Sequence, residues 1–479
     1  MGLFCIDVDL LLSSLRDDPE NFVALLKAEM AKVEEMFQVG KERSVALLDY
    51  AKRNRDLAWK LAKEYDKWCG DEENVAVRAL QETRAEFLFE DVHYSQRKEK
   101  EYNGSRSSAL FFGGVVSCLW VLFAVILVTH ANAYDYFLWM PAHRIFRMFI
   151  LLSLYVFSLA VDAGIFSTFF WTFCVTLSFR DLTAISFQIC SITLALTCVY
   201  LIHGRGDLDR ERAADYWLVV LVGVQLLYLV NPFPVLYRSA RMRLLRTLGR
   251  IIFSPFSSPN FFDVWLADQF CSLIVILSDF GYTLCYFVAD VGRSTDVCTT
   301  GIDPWLRSAL ACVPFWFRLM QSARRFRDEG SGHFHMANAG KYFLSLCVAA
   351  FATLHALSDQ FTGKWDAFRI LWLIFGVSAT LASSFWDAIM DFDGVKDSGY
   401  FPKWHFGVAV VTNSLLRCAW LFTVAPLPFA GFMYDRILEF SLGSAEILRR
   451  AQWNAYRVAS EHVKMMKEKQ RTRTRQHLN

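Results

Sequence analysis

From residue 109 onward the chain repeats apolar runs long enough to cross about 30 Å of hydrocarbon. They lie near 109–130, 145–164, 182–202, 215–236, 264–290, 304–323, 341–358, 367–390, 404–424 and 433–457. The last is the least apolar and carries charges. The stretch 165–181 is also apolar and reads as a re-entrant or interfacial piece. In a bilayer every backbone polar group must be satisfied internally, so runs of this length are helices. The expectation is an all-α, polytopic membrane protein of about ten transmembrane helices, preceded by a short helical cytosolic region. Composition agrees: 54% of residues are hydrophobic and 16% aromatic, including 43 Phe, against 20% charged. A soluble globular protein has no need of such an excess. The net charge of +2 gives no general affinity for nucleic acid.

Charge placement orients the bundle. Arg238, Arg241, Arg243, Arg246 and Arg250 fall in one loop; Arg324, Arg325 and Arg327 fall in another; the tail carries Lys464, Lys467, Lys469, Arg471, Arg473 and Arg475. With ten spans all three lie on the same side as the N-terminus, so the positive-inside rule puts both termini in the cytosol. The chain divides into a cytosolic helical region (1–108), four spans (109–236), six spans (237–460) and a basic tail (461–479). The N-terminal region is rich in Ala, Leu, Glu and Lys over 20–67, with Asp18-Pro19 as a helix start. The opening MGLFCIDVDLLLSSLRDD lacks the basic flank and cleavage site of a signal peptide. Most of the 12 Cys lie in apolar runs and read as small hydrophobes. Cys298 and Cys312, flanking a loop, are the pair considered for a disulfide.

Ionisable residues inside spans cost several kcal/mol, so they pair or line a wet cavity. Asp279 sits mid-span. Lys341 opens a span. Asp387 and Asp391 are four apart and share a helix face. Arg417 and Trp420 are three apart, again on one helix face. Glu446, Arg449 and Arg450 fall within one turn. Two readings fit: salt bridges that lock helices together, or an anion site with surplus cations. Guanidinium forks suit a tetrahedral oxyanion, and nearby carboxylates would hold the arginines and accept a hydrogen bond from protonated phosphate. Trp420 is either packing or a gate. No nucleophile elbow, P-loop, dinucleotide-binding glycine pattern or metal-ligand cluster marks an enzyme, a cofactor or a metal. His333 and His335 read as a solvent-exposed loop pair.

Six segments carry a resemblance: FFDVWLADQFCSLIVILSDFGY, VPFWFRLMQSARRFRD, HMANAGKY, FWDAIMDF, LLRCAW and EILRRAQWNAYRVASEH. In this order, over about 230–462, they resemble the EXS-domain family of phosphate exporters and retrovirus receptors. The resemblance implies a phosphate export channel or transporter, usually dimeric. It places phosphate ligands at Asp279, Lys341, Tyr342, Asp387, Arg417, Arg449 and Arg450, with Trp420 as the gate. Asp391 and Glu446 support them. Gly281 stands where the family often has Glu. ENFVALLKAEMAKVEEMFQVGKERSVALL and AWKLAKEYDKW resemble helices of an SPX domain, a sensor of inositol pyrophosphates, in a reduced form. Lys60, Lys63 and Lys67 are its candidate polyanion ligands.

Three functions compete. The first is an exporter of inorganic phosphate from the cytosol. The second is a Golgi or other organellar protein that recycles lumenal phosphate or aids Golgi retention. The third is a non-transporting scaffold or receptor. The plasma membrane and endomembranes both remain open as locations.

Overall fold

The structure, a computed structural model, describes residues 86–129, 142–165, 177–204, 208–233, 236–289, 298, 303–329, 332–362, 366–392, 395, 401–424 and 432–478. Lys60, Lys63, Lys67, the rest of the SPX-like segment and most of the apolar stretch 165–181 lie outside them. The chain divides into two compact units, Met1–Gly104 and Ser105–Asn479. All sites discussed below lie in the second.

The described residues form helices and no strand. In chain order they are α1 (Glu86–Thr129), α2 (Ala142–Ile165), α3 (Phe179–His203), α4 (Leu208–Val230), α5 (Arg238–Ile252), α6 (Phe261–Phe270), α7 (Ile274–Ala289), α8 (Asp303–Glu329), α9 (Gly332–Thr362), α10 (Ala367–Trp386), α11 (Lys403–Arg417) and α12 (Phe432–Leu478). A π-helical turn, Asp387–Asp391, continues α10, and a 3-10 turn, Ala419–Thr423, follows α11. Local sequence starts several of them. Ser178 and Asp181 form a reciprocal capping box on α3, and Asn260 and Asp263 form another on α6. The Asp366 carboxylate accepts the Arg369 amide at 2.7 Å to start α10.

Seven helices among the described residues are long and apolar enough to cross a membrane, or eight if the bent pair α6–α7 is one span. The protein is therefore a multi-pass membrane protein. The runs expected at 304–323 and 433–457 fall within α8 and α12, whose charges keep them out of this set. On α1, Leu110, Phe111 and Val121 are exposed by 65–70%. Such a surface needs an apolar solvent, which the bilayer supplies. Two apolar cores hold the bundle. Leu151, Tyr155, Trp265, Ile447 and Tyr456 join α2, α6 and α12. Ile145, Tyr200, Leu218 and Tyr282 join α2, α3, α4 and α7.

Three expectations are corrected. The run 264–290 is not one straight helix: α6 and α7 meet at 69° across a break at 271–273. No Pro or Gly marks that break, so periodicity read through it. His333 and His335 belong to the first turn of α9, not to a loop. Cys298 is bonded to Cys285, 13 residues earlier, and Cys312 is a free thiol. The partner sits near the end of α7, close in sequence, whereas Cys312 is carried inside α8.

Closing this short loop restricts the unfolded chain, so Cys285→Ser should cost about 2–4 kcal/mol of stability. A thermal melt in detergent, with a non-reduced digest that links the Cys285 and Cys298 peptides and leaves Cys312 alkylated, checks both claims.

Candidate functional site

The charges expected inside spans converge on one cavity of about 520 Å³ between α6–α7, α8, α9, α10, α11 and α12. It runs along α9 from Phe334 to Ala349, a rise of about 22 Å. Eight cationic and four acidic residues line it. Three departures from regular helix build its wall, as is common where membrane helices bind ions.

The first is the α6–α7 break. It places Asp268 on the last turn of α6 and frees Ser272, whose hydroxyl accepts Arg450 Nε at 2.6 Å and Arg449 Nη2 at 3.3 Å. The amide-rich start of α7, at Ile274 and Val275, also lines the cavity. Asp268 Oδ1 accepts Arg318 Nε at 2.7 Å and the Tyr342 hydroxyl at 2.7 Å. The Arg318 guanidinium lies 4.8 Å over the Tyr342 ring and donates to Gln321 at 2.7 Å.

The second is the π turn after α10, which carries Asp387 and Asp391, both buried. Asp387 Oδ2 accepts Arg417 Nη2 at 2.5 Å, Arg417 Nε at 3.0 Å and Asn413 Nδ2 at 2.8 Å; Arg449 Nη1 lies 3.9 Å away. Arg449 is held by Glu446 and by Asn413 Oδ1 at 3.1 Å. Asp391 faces away from this knot, accepting the Trp453 indole at 3.0 Å, with Arg457 Nε at 3.5 Å.

The third is the 3-10 turn that begins two residues after Arg417, so Arg417 and Trp420 do not share one regular helix face as expected. Both still reach the cavity. The Trp420 indole lies against Gly376, where a Cβ would come within 2.9 Å of the ring. Its Nε1 donates to Thr380 at 3.0 Å, and its ring meets Trp372 edge-on at 5.9 Å. Trp372 stacks on His355. Trp420 and Trp372 both line the cavity.

Two cations stand apart from the salt-bridge knot. The buried Lys341 ammonium sits 4.4 Å from the Tyr342 ring centroid and 5.0 Å from that of Trp386. Arg450 lies over Trp453 at 4.5 Å. Among the described residues neither has a carboxylate oxygen within 4.0 Å. Arginine over an aromatic face keeps donor edges available for an oxyanion.

Of the residues singled out from sequence, Lys341, Tyr342, Asp387, Arg417, Arg449, Arg450, Trp420, Asp391 and Glu446 all line this cavity. Asp279 does not. It is buried against Arg147, which donates to both its oxygens at 2.8 and 2.6 Å. Asp268, eleven residues earlier on the other side of the break, occupies the cavity instead. Asp268 and Arg318 were visible as charged residues in apolar runs, but the unmarked break hid Asp268's direction. His335 also lines the cavity; among the described residues no group of acidic, His and Cys side chains could hold a metal ion.

Fold and site together define a helical membrane protein with a cation-rich interior cavity. The EXS family model matches residues 142–463, more than half the chain, and the chain belongs to the EXS family. The match begins well before the six motif-bearing segments. Among similar proteins, SPX and EXS domain-containing protein 3 of Dictyostelium discoideum is 32% identical over 51% of this chain and 27% of its own length. Phosphate transporter PHO1-1 of Oryza sativa subsp. japonica is 30% identical over 77% of this chain and 48% of its own. Solute carrier family 53 member 1 of Homo sapiens is 30% identical over 51% and 39%. The chain thus spans less than half the length of these relatives.

Two substitutions test the architecture. Asp268→Ala strands the buried Arg318 charge and should cost about 3–5 kcal/mol. Adding Arg318→Leu should recover most of that in a thermal melt. Gly376→Val forces Trp420 off its seat, at about 1–3 kcal/mol, with a change in tryptophan fluorescence as the readout.

Proposed function

We propose that this cavity binds inorganic phosphate and passes it across the membrane, out of the cytosol. The observation that carries the reading is the cationic surplus around Lys341 and Arg450, set beside arginines already fixed by Asp387 and Glu446. A doubly charged oxyanion would be held by Arg450, Lys341, Arg417 and the Tyr342 hydroxyl. Asp268 and Asp387 would keep the cations in place and accept a hydrogen bond from a protonated phosphate oxygen. The printed name of the rice relative, a phosphate transporter, supports the same ligand. Trp420 and Trp372 would form the gate. Transport rather than catalysis is the role proposed, in a four-span plus six-span arrangement and as a homodimer, following the family resemblance.

The disulfide supports the orientation. Disulfides persist in oxidising compartments. The Cys285 end of α7 would then face the lumen or exterior, leaving the Lys464 and Arg325 mouth toward the cytosol. Placement of these cations agrees with the positive-inside rule.

Removing one charge-assisted contact weakens binding by about 1.5–3 kcal/mol, roughly ten- to a hundredfold. Arg450→Gln should therefore raise the phosphate concentration for half-maximal flux by that factor in reconstituted vesicles. Lys341→Gln should do likewise, whereas Arg324→Gln, outside the cavity, should not. Unchanged flux in the Arg450 and Lys341 variants, with vesicle incorporation equal to wild type, excludes this site. Absence of phosphate flux in wild-type vesicles favours a scaffold or receptor.

A further inference from the structure

Asp162 is an acidic residue that neither the cavity nor its salt bridges use. It lies within one turn of the end of α2 and is 4% exposed. Its Oδ2 accepts a hydrogen bond from Asn454 Nδ2 of α12 at 3.3 Å. Among the described residues no cation pairs with it, and no charge of either sign acts on it. The charges of the surrounding helices are committed elsewhere. Asp263 of α6 is held by Arg250, Asp268 by Arg318, and Arg457 of α12 by Asp391 and Glu461. On α3, Asp181 is tied into the Ser178 cap, and Arg180 beside it adds nothing at Asp162.

Asp162 ends a buried chain of neutral groups. Asn454 Oδ1 accepts the Trp265 indole at 3.1 Å and Gln269 Nε2 at 2.8 Å, both from α6. Gln269 Oε1 in turn accepts the Tyr155 hydroxyl of α2 at 3.3 Å. The two donors arriving at Oδ1 fix the Asn454 amide, because reversal would set its own Nδ2 against both. Nδ2 is therefore left pointing at Asp162 with one N–H to give. A neutral acid can accept that single bond and rest. An ionised carboxylate has about four acceptor sites and, without a counter-charge, is costly to bury in a span. The chain also backs onto the cavity. Gln269 follows Asp268 and Asn454 follows Trp453, and both Asp268 and Trp453 line the cavity. Each helix thus turns one residue to the cavity and the next to this chain.

We propose that Asp162 is a proton-binding site, and that the proton it holds keeps α6 latched to α12 through Asn454 and so couples phosphate transport to pH. This rests on the cavity being the phosphate site. In the orientation proposed above, Asp162 lies toward the cytosol, about 22 Å along α2 from Arg147, which pairs with Asp279. Release of the proton to cytosolic water would leave a buried anion facing one donor. The anion would draw in water or the Trp265 and Tyr155 donors, and the α6–α12 bonds would give. Asp268 would then lose its fixed place on the cavity wall. The proton, and with it tight phosphate binding, is held at lower pH and lost as the pH rises. The linkage is reciprocal, so phosphate in the cavity also holds the proton on Asp162.

Three measurements on the full chain test this. In the infrared difference between wild type and Asp162→Asn, the C=O band of a protonated carboxylic acid should belong to wild type alone. In vesicles, flux is followed from neutral to alkaline pH on the cytosolic side. Titration of phosphate itself is common to both proteins, so their ratio isolates Asp162. Asp162→Asn keeps a neutral group against Asn454 and should match wild type at neutral pH. At alkaline pH wild type should need about tenfold more phosphate than the variant for half-maximal flux. Asn454→Ala opens the latch without touching the acid and should show that loss already at neutral pH. Melting temperatures, which need no transport, should follow the same order, wild type falling below Asp162→Asn as the pH rises. A difference spectrum without the acid band overturns the proton site, as does an Asp162→Asn chain that fails to fold where a neutral group should suffice. A constant flux ratio across the pH range overturns the coupling and leaves the phosphate reading standing. Wild-type vesicles that pass no phosphate overturn the phosphate reading and the coupling with it, while the spectrum and the melts still decide the latch.

Discussion

The Asp387 carboxylate, shared by Arg417, Arg449 and Asn413, is the interaction on which the interior depends. A guanidinium taken out of water costs several kcal/mol unless geometry and hydrogen bonds offset it. Here one carboxylate on a π turn meets two arginines from two different helices, and Asn413 links them again through Arg449. Three elements are thereby fixed around a single oxygen. Glu446 completes Arg449, and Asp268 does for Arg318 what Asp387 does for Arg417. With those charges neutralised, Lys341 and Arg450 can line the cavity without unravelling the bundle.

This arrangement explains why the cavity wall is made of irregular helix. A straight α-helix presents its side chains and hides its backbone. A break, a π turn and a 3-10 turn each shift where the next side chains emerge, and they also free hydroxyls and helix ends. The break puts Asp268 and Ser272 on one wall. The π turn splits Asp387 from Asp391, so the first joins the arginine knot while the second holds Trp453 and Arg457. The 3-10 turn lays Trp420 on Gly376.

Most of the bundle was readable because hydrophobic run length is a strong signal in a bilayer. Helices α2, α3 and α10 lie close to where their apolar runs predict them. The charged residues of the site were readable for the complementary reason: Lys341, Arg417, Arg449 and Arg450 have no business in lipid. What stayed hidden were departures from periodicity with no local marker. The residues Cys271, Ser272 and Leu273 are not helix breakers, so nothing separated Asp268, which enters the cavity, from Asp279, which pairs with Arg147. The Cys285–Cys298 bond was hidden because Cys285 looked like another small apolar residue within a span.

The short helix α6 is pinned on several sides. Arg250 of α5 grips Asp263 at 2.6 Å, Gln321 of α8 donates to the Asp263 carbonyl, and Trp265 and Gln269 both donate to Asn454 of α12. Trp420, by contrast, is held by one indole hydrogen bond and two ring contacts. The α6 wall of the cavity is therefore bolted to three neighbours, and α10 and α11 are tied to α12 through Asp387, which leaves the Trp420 ring as the lightly held part of the lining. A motion that preserves both sets of bonds is left to the indole of Trp420 and the 3-10 turn that carries it, with Asp268 stationary across the cavity lining.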